Sequence, residues 1–221
     1  MKVCFVTRSN LSLLEDNALL FSSGAGLVLA SPLSMGLVSY EDELSGDSEH
    51  FLDIAKLSKE LKTVIIAGCD TDTYGNYRKS AVVADRGKLL GVSDAVFLPL
   101  DSEYTTGVTF TVYKTSVGKI GVLVGNDFYS VETVCNMSQD DADVIVIIGG
   151  DTDTHLPEIV VRAEAFLFGV PILKCSSGYA TAVNAVGEVE CCSPLDISVV
   201  DIKLKKAYDN NLYKKGYDKG R

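Results

Sequence analysis

The sequence predicts an α/β fold in which helices pack on the outer faces of two stacked β-sheets. Short apolar runs of strand length alternate with amphipathic stretches and turns along the 221 residues. Many of these runs follow one another without an intervening helix, so the pattern does not predict a strict strand–helix–strand series. With 47% apolar and 23% charged residues, a chain of this length can bury a substantial core as one domain.

Ten strands are predicted from β-branched, apolar runs bounded by turn residues. In chain order they span 2–7, 26–30, 63–68, 79–85, 108–114, 119–124, 143–149, 171–175, 180–190 and 197–202. The predicted helices span 11–22, 50–61, 130–139 and 156–168. Ser48 and Ser130 are the expected N-caps of the second and third helices.

Net charge and composition argue against two classes of binding partner, nucleic acids and membranes. The net charge is −10, which argues against a nucleic-acid partner, because phosphates are neutralised by basic surfaces. No apolar run approaches the roughly 20 residues that span a bilayer. The N-terminus "MKVCFVTRSN" has no signal-peptide pattern, so we expect a cytoplasmic protein without membrane attachment.

The cysteines and histidines show no metal-site spacing. The six cysteines form no CxxC pattern, and His50 and His155 lie far from any of them in sequence. We therefore expect buried free thiols and no metal or cofactor. One alternative stays open: "GCDTDT" (68–73) and "GGDTDT" (149–154) both follow apolar runs, and paired aspartates there could hold Mg²⁺ in a phosphate enzyme. The other interpretation is that these residues form turns.

The order of segments resembles the nitrilase (carbon–nitrogen hydrolase) superfamily over nearly the whole chain. "KIGVLVGND" (119–127) is similar to that family's Gly-x-Ile-Gly-x-x-Ile-Cys-Tyr-Asp strand. "IIAGCDTDTYGNYRKSAVVADRGKLLG" (65–91) resembles the stretch before its catalytic lysine, and "VRAEAFLFGVPILKCSSG" (161–178) resembles its Arg-Ala helix and the following strand. "NAVGEVE" (184–190) matches the hairpin before the last strand.

The resemblance implies a four-layer α-β-β-α sandwich. It implies a single carbon–nitrogen hydrolase-like domain over 1–205, followed by a basic C-terminal tail over 206–221. In the family, subunits pair through the helices that here span 130–139 and 156–168. We therefore expect a homodimer or hetero-oligomer.

The family's chemistry implies three catalytic positions. A cysteine thiolate attacks the carbon of an amide or nitrile, a glutamate is the general base, and a lysine helps to stabilise the tetrahedral intermediate. In this chain Gly125 stands at the cysteine's position, Pro32 at the glutamate's and Ala95 at the lysine's. A shift of one residue would place Leu33 at the glutamate, which is no base either.

Two acidic residues of the family pattern persist. Asp127 keeps the acidic position two residues after the nucleophile, and Glu103 corresponds to the family's second glutamate. The loss of all three chemical residues predicts a catalytically inactive protein that binds a small carboxylate or amide, or a partner subunit.

The residues expected to line the cleft are Cys69, Asp70, Asn126, Asp127 and Cys175. Cys69 and Cys175 each follow an apolar run, so an active amidase that uses one of these displaced thiols is the alternative to an inactive protein. Without a base or a neighbouring cation such a thiol stays protonated at neutral pH.

Overall fold

The computed structural model describes residues 1–8, 18–150 and 156–203, and it contains five α-helices in that part of the chain. The helices are α1 (Ala18–Ser23), α2 (Tyr40–Ser45), α3 (His50–Leu61), α4 (Val131–Gln139) and α5 (Leu156–Phe168), with a short 3₁₀ helix at Asp127–Tyr129. The strands are β1 (Lys2–Val6), β2 (Leu27–Ala30), β3 (Leu37–Ser39), β4 (Val64–Thr73), β5 (Asn76–Asp85), β6 (Lys88–Asp94), β7 (Thr111–Thr115), β8 (Gly118–Val124), β9 (Val144–Ile148), β10 (Ile172–Ser176), β11 (Tyr179–Val183), β12 (Val189–Ser193) and β13 (Ile197–Asp201).

The strands form two sheets with parallel centres. The first has the order β13-β1-β2-β4-β5-β6, with β3 also pairing with β4, and the second has the order β12-β11-β10-β9-β8-β7. Strands β1, β2 and β4 run parallel, as do β8, β9 and β10. The carboxyl ends of both parallel groups lie at the same end of the sandwich, since the Cys175 thiol at the end of β10 contacts the carbonyls of Val6 and Leu29.

Three clusters of buried apolar side chains pack between the four layers. One lies between the two sheets and includes Phe5, Ile66, Ile120 and Val146. A second lies between the first sheet and α3, and a third lies between the second sheet and helices α4 and α5. Along β4, for example, Ile66 faces the other sheet, as expected from the two-residue period of a strand. The predicted four-layer α-β-β-α arrangement is confirmed.

Several predicted element boundaries are wrong. The run 180–190 is two strands, β11 and β12, separated by a turn in which Gly187 has a φ of +79°. Strands β3 and β6 and the short helix α2 were not predicted. Strand β4 continues to Thr73 because its polar second half pairs with β5. Alternating polar side chains are compatible with a strand whose end reaches the surface.

The cap of α3 also differs from the prediction. The N-cap residue is Glu49, not Ser48, and its side chain makes no capping bond. Instead, the carboxylate of Glu43 on α2 accepts hydrogen bonds from the backbone N–H groups of His50 and Phe51. The Ser48 hydroxyl donates to the same carboxylate. Glu43 thereby satisfies two amides that a helix start leaves without partners. Ser130 is the N-cap residue of α4, but its side chain makes no capping bond.

Three predicted features lie wholly or partly outside the described residues. These are the first part of the helix at 11–22, the second Asp-Thr-Asp-Thr segment from residue 151 onward, and the basic tail at 206–221. In the described part of the chain, no helix has the length and hydropathy needed to span a membrane.

Candidate functional site

Three loops meet at the end of the sandwich where the parallel strands terminate. They carry Pro32 after β2, Ala95 after β6 and Gly125 after β8. A Cβ built on Gly125 would lie 4.0 Å from the Ala95 Cβ. A Cβ built on Gly149, after β9, would lie 3.2 Å from Pro32 Cγ and 3.7 Å from Gly125 Cα. The three positions matched to the glutamate, lysine and cysteine are therefore grouped around one point, which we call the cleft floor.

The backbone of the cleft floor depends on glycine. Gly125, Gly149 and Gly150 have φ values of +63°, +93° and +82°, which L-residues with side chains rarely adopt. A Cβ on Gly150 would lie only 2.6 Å from the Gly125 carbonyl oxygen. The loops after β8 and β9 can therefore approach each other closely, and they present backbone to the cleft in place of side chains.

The groups at the three matched positions have no catalytic chemistry. Pro32 offers a saturated ring, Ala95 a buried methyl group and Gly125 no side chain. None can attack a carbonyl, accept a proton or carry a positive charge near neutral pH. Leu33, the other candidate for the glutamate position, is exposed.

Asp127 connects the two loops that carry Gly125 and Ala95. Its buried carboxylate accepts the backbone N–H of Val96 at 3.0 Å and of Phe97 at 2.8 Å, and that of Val124 at 3.5 Å. Burial raises the pKa of Asp127 to about 6, and the backbone N–H donors oppose this increase. Asp127 thus holds the backbone of the cleft floor. Asn126 beside it is half-buried.

The two candidate thiols are in different layers. Cys69 is buried in the cluster between the first sheet and α3, on the face of β4 that points away from the cleft. Cys175 is buried between the sheets. Burial raises the pKa of both thiols, that of Cys175 to about 12. Both thiols are therefore protonated, and poor nucleophiles, near neutral pH.

A polar cluster lies on the β4–β5 hairpin beside the cleft floor, since the Ala95 N–H donates to the Lys79 carbonyl. Asp70 on β4 and Lys79 on β5 are directly opposite each other in the hairpin, and Lys79 Nζ lies 2.9 and 3.0 Å from the two carboxylate oxygens. The Tyr104 hydroxyl accepts from Lys79 at 2.8 Å and donates to Asp70 at 2.9 Å. Glu103, next to Tyr104 in the chain, is exposed.

Sequence reasoning named Asp70 but missed Lys79 and Tyr104. A register argument could have found Lys79. The two-residue turn Tyr74-Gly75 pairs Thr73 with Asn76, and counting back three positions along each strand brings Asp70 opposite Lys79. Tyr104 comes from a loop without a recognisable pattern, so no local signal pointed to it.

The first Asp-Thr-Asp-Thr segment makes hairpin contacts. The Thr71 hydroxyl is 2.9 Å from that of Ser80, and Asp72 Oδ1 accepts the turn N–H of Gly75 at 2.7 Å. Within the described ranges, no group of three or more His, Cys, Asp or Glu side chains is arranged to hold a metal ion.

Comparison with known proteins decides the family. The model of the carbon–nitrogen hydrolase family matches residues 8–200. The chain belongs to this family. Its fold matches a carbon–nitrogen hydrolase from Helicobacter pylori with a TM-score of 0.71 and 20% identity, over 91% of this chain and 89% of that one.

Two further solved structures of the nitrilase superfamily share the fold. A mutant amidase of Nesterenkonia AN1 matches with a TM-score of 0.75 and 17% identity, over 91% of this chain and 90% of that one. Saccharomyces cerevisiae Nit3 matches with a TM-score of 0.74 and 16% identity, over 90% and 89%. No curated protein sequence matches the chain.

Proposed function

We propose that this chain is a non-catalytic carbon–nitrogen hydrolase-family protein that binds a small ligand in the cleft beside Gly125. One observation carries the proposal. Pro32, Ala95 and Gly125, which the sequence resemblance matches to the family's base, lysine and nucleophile, meet at one point of the fold. An acyl-transfer site needs all three chemical functions together, and these residues supply none of them.

The test is turnover by the purified 221-residue chain. We expect no ammonia release from a panel of primary amides and nitriles, with an active amidase of the family as the positive control. Gly125→Cys alone should remain inactive, because Pro32 supplies no base and Ala95 no cation. Turnover by the unmodified chain that disappears in Cys175→Ala or Cys69→Ala would overturn the proposal in favour of a displaced thiol.

Intact mass spectrometry tests the same point without relying on turnover. An enzyme that acts through a thiol forms an acyl adduct with an activated ester. We expect no adduct on Cys69 or Cys175, since both thiols are buried and protonated. A stoichiometric adduct on either would contradict the proposal.

The same proposal includes pairing with a second copy of the chain. Helix α5 exposes Ile159 and Phe166 to solvent by 59% and 58%. These residues are seven positions apart and therefore share a helical face. On α4, which packs against α5, Val131 is also exposed. A two-fold contact would remove this apolar area from water, at roughly 25 cal/mol per Å² before association costs.

We also place the protein in the cytoplasm. All six cysteines are free, although Cys191 and Cys192 are neighbours and several others are buried. Thiols stay reduced in the cytosol. Exclusive recovery of a tagged chain from a membrane or secreted fraction would contradict this placement.

A further inference from the structure

The loop between β6 and β7, residues 95–110, contains no helix or strand and begins at the cleft floor. Its first residue is Ala95, whose Cβ would lie 4.0 Å from a Cβ built on Gly125. The next two residues, Val96 and Phe97, both donate their backbone N–H groups to the Asp127 carboxylate. This attachment therefore fixes the part of the loop that borders the cleft floor.

The Asp127 carboxylate is fully buried without a cation to balance its charge. In the described part of the chain, its only hydrogen-bond donors are the backbone N–H groups of Val96, Phe97 and Val124. Neutral N–H groups offset only part of the cost of burying an ionised carboxylate. The loop is therefore attached to a group whose ionised form is unfavourable where it lies.

The charged groups on the surrounding elements do not reach this carboxylate. Helices α4 and α5 pack against the 3₁₀ helix that contains Asp127, and Lys174 on β10 points to the neighbouring Phe128, with its ammonium 5.1 Å from the ring centroid. The acidic groups on α4, on α5 and in the loop are Glu132, Glu158, Glu164, Asp101 and Glu103. Within the described ranges none of these groups forms an ion pair or a hydrogen bond with Asp127.

A proton on Asp127 is compatible with the attachment of the loop. The N–H groups of Val96 and Phe97 both donate to Oδ1, at 3.0 and 2.8 Å. The contacts of Oδ2 are longer, 3.2 Å to the Val96 nitrogen and 3.5 Å to that of Val124. A carboxyl group protonated on Oδ2 keeps Oδ1 as an acceptor. Protonation therefore removes the buried charge and leaves the two shorter bonds in place.

We propose that Asp127 makes the β6–β7 loop a pH-sensitive element beside the cleft floor, closed while Asp127 is protonated and open more often once the carboxylate ionises. Opening lets water reach the ionised carboxylate and relieves the cost of its burial. The response to pH belongs to the chain itself, whereas its consequence for ligand access rests on the binding function proposed above.

The direction of the response follows from proton linkage. Burial raises the pKa of Asp127 from 3.8 to about 6 in the closed loop, despite the N–H donors. An open loop exposes the carboxyl group to water and returns its pKa towards 3.8. The closed loop therefore binds the proton more tightly, so a rise in pH from 3.8 to about 6 favours the open loop.

The experiment is amide hydrogen exchange of the 221-residue chain at pH 5 and pH 7, with each rate divided by the intrinsic rate at that pH. The amides of Val96 and Phe97 report on opening of the loop, and Ile147 in the buried β9 reports on global unfolding. We expect the protection of Val96 and Phe97 to fall roughly tenfold from pH 5 to pH 7.

Asp127→Asn keeps an oxygen acceptor but cannot ionise, so it should abolish this pH dependence. The matched control is Asp85→Asn, because the Asp85 carboxylate accepts the backbone N–H of Ser116 at 2.7 Å at an exposed position. It should leave the pH dependence at Val96 and Phe97 unchanged. A ¹³C NMR titration of the Asp127 carboxyl group in the unmutated chain gives a second measurement that needs no variant, and its midpoint should be near pH 6.

Four results would overturn the inference. They are protection of Val96 and Phe97 that is constant or rises from pH 5 to pH 7, the same dependence in Asp127→Asn, a carboxyl midpoint near the ordinary value, and exchange no faster than that of Ile147. The last would show that the loop opens only with the whole protein. Every measurement is made without ligand, so failure here is distinguishable from failure of the proposed binding function.

Discussion

Gly68 and Gly125 are both glycines of the cleft, but for different physical reasons. Gly68 has no positive φ, yet a Cβ there would lie 2.4 Å from Pro32 Cα and 2.6 Å from its carbonyl oxygen. Gly125 has space for a Cβ, since its nearest neighbour would be 4.0 Å away, but its φ of +63° is unfavourable for a side chain. The first glycine permits close packing of backbone, and the second permits a left-handed turn.

Alanine substitutions should separate the two effects. Gly125→Ala should cost about 1–2 kcal/mol of unfolding free energy, the strain of a left-handed residue. Gly68→Ala should cost more than about 2 kcal/mol, because backbone atoms rather than a flexible side chain must move. Urea unfolding measures both. Gly36→Ala, at a φ of +71° with no atom near the added methyl, is the control for strain alone. Equal losses at Gly68 and Gly36 would contradict the packing explanation.

The protonation state of Glu164 is determined by its burial. It lies on the buried face of α5, and neither carboxyl oxygen has a hydrogen-bond partner. Burial raises the pKa of Glu164 from 4.5 to about 8. The folded protein therefore holds a proton on this carboxyl group at pH 7, whereas the unfolded chain releases it.

Stability should fall as pH rises through the window set by this shift. Between pH 4.5 and about 8 the folded state binds one more proton than the unfolded state at Glu164, so the free energy of unfolding decreases by up to about 1.4 kcal/mol per pH unit. Asp127 adds a loss of the same sign only up to its pKa of about 6.

Urea unfolding at pH 6 and pH 8 therefore isolates Glu164. We expect Glu164→Gln to flatten this dependence and to stabilise the protein at pH 8 by a few kcal/mol. Glu132→Gln, at an exposed position on α4, should change neither. A wild-type protein whose stability is unchanged between pH 6 and pH 8 would contradict the protonated state of Glu164.

At the scale of elements, the β4–β5 hairpin pairs Asp70 with Lys79 beside the cleft floor. Its turn residues Tyr74 and Gly75 have φ values of +50° and +82°, the signs of a two-residue type I′ turn. Tyrosine is a poor residue for such a φ, and its side chain is exposed. The turn therefore carries a local conflict between residue type and backbone conformation.

Replacing that tyrosine should stabilise the hairpin. Tyr74→Asn creates the Asn-Gly pair that type I′ turns favour, and it should raise the free energy of unfolding by about 0.5–1 kcal/mol. Thermal or urea unfolding measures the change. Tyr77→Asn, at a strand position of the same hairpin, should instead lower stability, because asparagine is disfavoured in strands. A destabilised Tyr74→Asn protein would show that the Tyr74 side chain stabilises the turn by contacts of its own.

How far the sequence predicts these elements depends on how local the signal is. Apolar runs such as those of β8 and β9 identify the buried strands, because burial on both faces leaves a continuous apolar stretch. The polar half of β4 and all of β6 lack that signal, since the pairing partner determines their conformation. The candidate site shows the same limit: the family resemblance pointed to Pro32, Ala95 and Gly125, which the fold brings together, but Tyr104 reaches Asp70 from a loop that is distant in sequence.

At the scale of the whole molecule, the exposed face of α5 tests the proposed self-association. Ile159→Asp and Phe166→Asp should each shift sedimentation at micromolar concentration from dimer towards monomer, because a carboxylate would be buried in an apolar contact. Phe168 is unsuitable for this test, since it packs partly into its own subunit's core.

Leu44→Asp is the control, because Leu44 is an exposed leucine on α2. This helix lies on the first sheet, whereas α4 and α5 lie on the second. It should leave sedimentation unchanged. A monomeric wild-type protein at that concentration would contradict the homodimer.

The carboxylate of Asp127 has a structural role that would remain if catalysis were lost, as we propose. The carboxylate oxygens of Asp127 accept hydrogen bonds from the backbone N–H groups of Val96, Phe97 and Val124. This role does not depend on any reaction. A lineage that stopped hydrolysing its substrate would no longer need a thiol, a base or an ammonium at the cleft floor, but losing Asp127 would still leave three amides without an acceptor. Residues that serve architecture and residues that serve chemistry can stand two positions apart in one motif and be inherited under separate constraints.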